Sequence, residues 1–223
     1  MAHVIREIER VPADLVEQFR SLSSATVHEA SGGKGALSSR IKPIYPEMKL
    51  CGPAVTVKVK PGDNLILHKA IYVAQKGDVI VADAEGFTEA GPWGEIMAVA
   101  AQVRGIAGLV ISGSVRDAEA MQAMGFPVFS LGICIKGTSK TALGLINHPI
   151  NLDNVTINPG DLIIGDRDGV VVVSRREAKE VLEKSLARER KEVDIKERLK
   201  KGETTLDIYG FGEILKNHGL IEE

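Results

Sequence analysis

Two carboxylates follow glycine-rich turns in this chain, Glu95 in "GPWGEIMAVA" and Asp117 in "GSVRDAEA", and Arg116 stands directly before the second. Hard oxygen donors of this kind suit Mg²⁺ or a similar ion, which takes a few carboxylates and keeps water and substrate oxygens around it. Both acids open expected helices, where free N–H groups and the positive helix end favour an anion. Gly91, Pro92 and Gly94 precede the first of them, and glycine lets a substrate approach the backbone closely. Together these parts describe a site for a metal-bound oxoacid. A simpler reading stands beside it: Asp117 caps the helix "DAEAMQAM" and Arg116 is a surface charge.

Other chemistries lack their residues. "SGGKGAL" does not have the GxxxxGK[ST] spacing of a phosphate loop, and no GxGxxG follows a strand. The histidines, His3, His28, His68, His148 and His218, form no HExxH and no pair at helical spacing, so each reads as structural or exposed. No GxSxG occurs, and Ser114 has no base near it in sequence. Cys51 and Cys134 are far apart, which excludes a disulfide framework and fits a reducing cytoplasm. The formal net charge of −2 gives no drive toward nucleic acid. The first residues lack the apolar core of a signal peptide, and no run approaches the ~18 apolar residues of a membrane span.

The elements that must position the acids can be read from periodicity. At 223 residues, 44% of them hydrophobic, the chain can bury a sizeable core as one domain or at most two small ones, and the reading adopted is one domain over 1–223. "PADLVEQFRSLS" and "SATVHEASG" read as helices, the second capped by Ser24 and stopped at Gly32 and Gly33. "CGPAVTVKVK" ends with the alternation of a half-buried strand. A helix "NLILHKAIYVAQKG", a buried strand "DVIVADA", a helix from Gly94, a strand "AGLVISG", a helix from Asp117 and a strand "PVFSLGICIKG" follow, so the middle is α/β. Beyond it, "VTINPGDLIIGDRDGVVVVSR" is β-rich with a hairpin signal at Asp168-Gly169. Residues 175–201 read as one long charged helix of about 40 Å, long enough to reach past a domain of this size to a neighbouring subunit, although a solvated helix packed along its own core would read the same.

Gly94, followed after 21 residues by "RDAEA", resembles the signature of the class II metal-dependent pyruvate aldolases of the 4-hydroxy-4-methyl-2-oxoglutarate / 4-carboxy-4-hydroxy-2-oxoadipate type, a family that also holds the RraA-like regulators of ribonuclease E activity. "ATVHEASG", "CGPAVTVKVKPGDN", "KGTSKTALG", "NPGDLIIGDRDGVVVV" and "LDIYG" are similar in the same order. The resemblance implies a compact α/β/β/α layered sandwich of the swivelling phosphohistidine-domain type with a long C-terminal helix, assembled as a homotrimer or hexamer. It puts Arg116 on the pyruvyl group and makes Asp117 the direct ligand of a divalent ion, Mg²⁺ or alternatively Mn²⁺. Glu95, standing where aspartate is usual, supports that ion through water, and Glu192 arrives from a neighbouring subunit. Gly94, Glu95, Ile96, Met97, Asn64 and Lys140 line the substrate pocket, Lys140 as an anion or carbonyl partner rather than a Schiff base.

The implied reaction cleaves a 4-hydroxy-2-oxoacid to pyruvate and a second oxoacid, and the same enolate serves oxaloacetate decarboxylation. The partners implied are a small oxoacid and further copies of the chain, with neither nucleic acid nor membrane. The competing reading is a non-catalytic regulator that binds and inhibits a ribonuclease.

Overall fold

The computed structural model describes residues 2–221. Its strands are β1 (His3–Val4), β2 (Lys42–Pro43), β3 (Leu50–Lys58), β4 (Val79–Asp83), β5 (Gly108–Ile111), β6 (Ser114–Val115), β7 (Val128–Ser130), β8 (Gly132–Ile133), β9 (Leu145–Ile146), β10 (Ile150–Leu152), β11 (Val155–Ile157), β12 (Leu162–Asp166) and β13 (Gly169–Val173). Its helices are α1 (Ala13–Phe19), α2 (Ser24–Ala30), α3 (Leu65–Val73), α4 (Glu95–Val103), α5 (Ala118–Ala123), α6 (Ala178–Lys200), α7 (Thr205–Tyr209) and α8 (Phe211–Asn217).

A parallel core runs β3-β4-β5-β7, with Val55 opposite Ile80, Val81 opposite Val110 and Val110 opposite Phe129. α3 and α4 are the crossovers between its first three strands, as parallel pairing requires. β3 serves three partners along its length, and β9 pairs antiparallel with its last two residues, Val57 and Lys58. Leu50–Pro53 pair antiparallel with β12, and Ala54–Lys58 pair parallel with β4. Gly52 permits the change because a Cβ there would come within 2.1 Å of the Gly77 carbonyl.

Three cores stack the layers. Val55, Ile80, Leu109 and Val128 face α3 and α4. Their neighbours Ala54, Val79, Val81 and Phe129 face Ile163, Val170 and Val172 of the β12–β13 hairpin. The hairpin's other face presents Leu162, Ile164, Val171 and Val173 to Val16, Phe19, Val27, Val181 and Leu182 of α1, α2 and α6. Strand alternation thus supplies two apolar faces from each layer, giving helices, sheet, hairpin and helices in succession. Truncating Leu109 to alanine in such packing costs about 2–5 kcal/mol.

Several local expectations change. β3 is buried through Val57 on both faces, because helices cover one side of it and the hairpin the other. Ser23, not Ser24, caps α2, accepting the Thr26 N–H at 3.1 Å, while the Ser24 N–H and hydroxyl bond Asp166 at 2.7 and 2.6 Å. "PVFSLGICIKG" breaks into β7 and β8, the latter pairing with β6 beside Arg116. The long helix begins at Ala178, three residues later than expected, and its 23 residues span about 35 Å. Ala178, Val181, Leu182 and Ser185 anchor its first half, whereas Val193 is exposed.

Candidate active site

α4 and α5 begin side by side because they follow the adjacent strands β4 and β5. At α4, Gly94 is the extended cap residue and has no side chain to satisfy the first N–H groups. The acceptor comes from the other helix: Asp117 Oδ2 takes the Glu95 N–H at 3.2 Å. Asp117 is itself at the start of α5 in the left-handed region, φ 55° and ψ 39°, and its side chain makes no cap bond to α5. The capping reading is therefore corrected in its target: Asp117 caps the neighbouring helix and not its own. The left-handed backbone costs a non-glycine residue about 1–2 kcal/mol. It is held by Arg116 N–H on the Trp93 carbonyl at 2.9 Å and Met121 N–H on the Asp117 carbonyl at 3.2 Å.

Close approach fixes the glycines here. A Cβ on Gly94 would lie 2.3 Å from Asp117 Oδ2, and one on Gly91 would lie 2.6 Å from the Cys134 carbonyl and 2.9 Å from Arg116 Cβ. Arg116 Nε stands 3.5 Å from Asp117 Oδ2, and the two side chains are 48% and 41% exposed, open to a ligand.

The facing wall is α3 and the loop 137–142. Asn64 precedes α3 and donates from Nδ2 to the Pro92 carbonyl at 3.1 Å, tying α3 to the α4 turn. Its Oδ1 is buried without a hydrogen-bond partner among the described residues. Such an acceptor is costly unless a ligand or water satisfies it. His68 lies one helical turn further on, and burial, then the charge of Lys140, push its pKa below the ordinary value. The walls enclose a cavity of about 310 Å³.

Of the expected residues, Gly94, Ile96, Met97, Arg116, Asp117, Asn64 and Lys140 line this cavity. Glu95 stands at its edge, joined to Asp117 through its backbone while its side chain is exposed. Glu192 is not there. It is on α6, in the outer layer across the hairpin from α3 and α4, paired with Arg188 at 3.0 Å and Lys196 at 3.9 Å. Gly91 and Pro92, expected at the start of α4, line it too, whereas sequence reasoning missed Gly137, Thr138 and above all His68. Its four-residue spacing from Asn64, one turn of α3, was the available signal.

Among the described residues no three or more His, Cys, Asp or Glu side chains cluster as a closed metal cage. The donors present are hard oxygens, those of Asp117 on the cavity and of the exposed Glu95, whose backbone N–H bonds Asp117. That set suits an ion such as Mg²⁺ that binds through one or two carboxylates and retains water, and does not suit tetrahedral zinc.

The RraA-like family model (Aldolase/RraA) matches residues 13–172, and the chain belongs to that family. It is 42% identical over 172 residues to a protein of Halalkalibacterium halodurans named "Putative 4-hydroxy-4-methyl-2-oxoglutarate aldolase", covering 77% of this chain and 82% of that one. A solved structure of an uncharacterized protein from Pseudomonas syringae pv. tomato superposes with a TM-score of 0.78 at 29% identity, covering 88% of this chain and 97% of that one. Streptomyces coelicolor RraAS2, described as an unusual member of the RNase ES inhibitor RraA family, is similar with a TM-score of 0.74 at 27% identity, covering 85% of this chain and 100% of that one. The architecture is thus mixed α/β, similar to that of RraA proteins.

Proposed function

We propose that the cavity between α3, α4 and α5 is the active site of a divalent-metal-dependent lyase. It would cleave a 4-hydroxy-2-oxoacid, of the 4-hydroxy-4-methyl-2-oxoglutarate type, to pyruvate and a second oxoacid. One observation carries this reading: a cation, Arg116, and a carboxylate, Asp117, meet the start of α4 at one cavity. The aldolase name of the Halalkalibacterium relative supports it.

Asp117 would hold the ion, with Glu95 supporting it through water. When bound, a divalent ion polarises the 2-oxo group as a Lewis acid. Arg116 binds the pyruvyl end and stabilises the oxyanion that develops as the C3–C4 bond breaks, an effect worth ~3–4 kcal/mol in the barrier for an oriented donor. The positive end of α4 acts in the same sense. The C4 hydroxyl proton must leave as its carbon becomes a carbonyl, and we assign its removal to a water held by Glu95. The enolate then takes a proton at C3 to give pyruvate. Oxaloacetate loses CO₂ through the same enolate, so one site performs both reactions.

The reading extends to a fold of the swivelling phosphohistidine-domain type, supported by the four stacked layers, and to a cytoplasmic homotrimer or hexamer in which α6 brings Glu192 to a neighbour's cavity. No described helix is long and apolar enough to cross a membrane.

The test is pyruvate release from 4-hydroxy-4-methyl-2-oxoglutarate and from oxaloacetate, with Mg²⁺ and with EDTA. Metal-dependent release from both is expected. No release from either, with inhibition of a ribonuclease by the same sample, would replace the enzyme by the regulator that the similarity to RraAS2 suggests.

A further inference from the structure

Asp63 is buried to 2% exposure, just before α3, and belongs to neither the metal-binding nor the substrate-binding set. Its Oδ1 accepts the Leu65 N–H at 2.8 Å, at the first residue of α3. Its Oδ2 accepts the Ser139 hydroxyl at 2.6 Å, the Thr141 N–H at 2.7 Å and the Ala142 N–H at 3.1 Å. The backbone repeats the link: Ser139 N–H donates to the Gly62 carbonyl at 2.9 Å, and Asn64 N–H to the Ser139 carbonyl at 3.2 Å.

One carboxylate therefore joins the two pieces of chain that form one wall of the cavity. On one side it fixes the start of the helix carrying Asn64 and His68. On the other it holds both neighbours of Lys140, whose own side chain stays exposed over the cavity. The loop 137–142 forms no helix or strand, and an isolated bridge between Asp63 and Ser139 is its β pairing among the described residues. Without the carboxylate, the Thr141 and Ala142 N–H groups would lose their acceptor and the Ser139 hydroxyl would keep only the Gly62 carbonyl at 3.3 Å, so the loop would have to turn these donors to solvent and take Lys140 with them.

We propose that Asp63 is a positioning residue for oxoacid binding, a buried carboxylate that sets Lys140 beside Asn64 and His68 on one wall of the cavity. This rests on the lyase reading of the site. Burial alone would raise the Asp63 pKa, but the bonds from Ser139, Thr141, Leu65 and Ala142 outweigh it and hold the group well below the usual carboxylate range. It is thus the charged form that organises the wall, and an amide of the same shape cannot replace it. The asparagine NH₂ would face donors at one of its two sites.

The test uses the full chain with two readouts. Amide hydrogen exchange at Thr141 and Ala142 reports the clamp. The values of kcat and KM for pyruvate release report its use, measured for Asp63→Asn, Lys140→Ala and the double variant. Asp63→Asn should speed exchange at both amides by roughly tenfold or more, the effect of losing bonds to a charged acceptor. It should also raise KM more than it lowers kcat, with kcat/KM down about 10–100-fold, and do so far less in the Lys140→Ala background, because both act through one element. Ser139→Ala removes the 2.6 Å bond to Asp63, with the longer 3.3 Å contact of the same hydroxyl to the Gly62 carbonyl, and gives a milder form of the same pattern if Asp63→Asn does not fold. Unchanged exchange, or an equal loss of kcat/KM with and without Lys140, overturns the positioning role. Loss of protection in Asp63→Asn while the wild-type chain releases no pyruvate overturns the lyase reading instead and leaves the clamp standing.

Discussion

Asp117 accepts the backbone N–H of Glu95 at 3.2 Å across 22 residues of chain, so the carboxylate expected to hold the metal also terminates the helix that opens the cavity. The two demands on Asp117 can be separated, because a cap needs only an acceptor oxygen whereas a divalent cation needs charge.

Asp117→Asn should therefore keep the fold and lose the chemistry. Melting is expected near the wild-type temperature, with metal-dependent pyruvate release abolished. Asp117→Ala should add a stability loss of about 1 kcal/mol, the usual worth of a helix cap. Circular dichroism and pyruvate release on the same samples check both. Wild-type turnover by the asparagine variant would reduce Asp117 to its capping role.

Gly94→Ala tests the same contact from the other side. A methyl group placed 2.3 Å from Asp117 Oδ2 and 3.0 Å from Arg116 Cγ must push both side chains away. A displacement on the order of 1 Å can cost about 100-fold in turnover. The variant should fold, since the clash is with two partly exposed side chains. A kcat within twofold of wild type would show that the Arg116-Asp117 arrangement is not used.

Much of this corner was legible because glycine turns before helices mark where α4 and α5 start. Their meeting was expected from the residue types and the family resemblance and not from periodicity, since it depends on β4 and β5 being neighbours in the sheet. His68 was passed over for a related reason: its significance comes from Lys140, 72 residues later, brought beside it through Asp63. β3 misled in a different way. "VTVKVK" alternates as a half-solvated strand does, yet only Lys58 and Lys60 within it escape full burial, because the hairpin from residues 162–173 returns to cover the second face.

The pairing of His68 with Lys140 has a titration consequence. Burial and then the Lys140 charge lower the His68 pKa from 6.5, so the unfolded chain binds this proton more tightly than the folded one. His68 therefore withdraws stability as the pH falls through 6.5 toward its folded value. Lys140→Met removes the second cause and should move the His68 titration upward, as followed by the ring signals in NMR. An unmoved titration would mean that Lys140 does not face the imidazole.

Arg116→Lys keeps the charge and discards the planar fork that grips a carboxylate with two parallel bonds. Turnover should fall by about 100–1000-fold, the cost of removing one oriented oxyanion donor. The measurement is kcat at saturating substrate. Near wild-type turnover would leave Arg116 as a surface partner of Asp117 only.

The sharing of a site between chains is the prediction that depends most on α6. Glu192 lies in the outer helical layer remote from its own cavity, held by Arg188 and Lys196, so it can serve catalysis only at a neighbour's cavity. Glu192→Ala and Asp117→Ala, each poorly active alone, should then partly restore activity when unfolded together and reassembled. Some interfaces in such a mixture pair an intact Asp117 from one chain with an intact Glu192 from another. A site built within one chain cannot behave this way, because every chain in the mixture carries one lesion. No recovery in assemblies shown by mass spectrometry to contain both chains would remove Glu192 from the chemistry and leave it to its ion pairs on the helix surface.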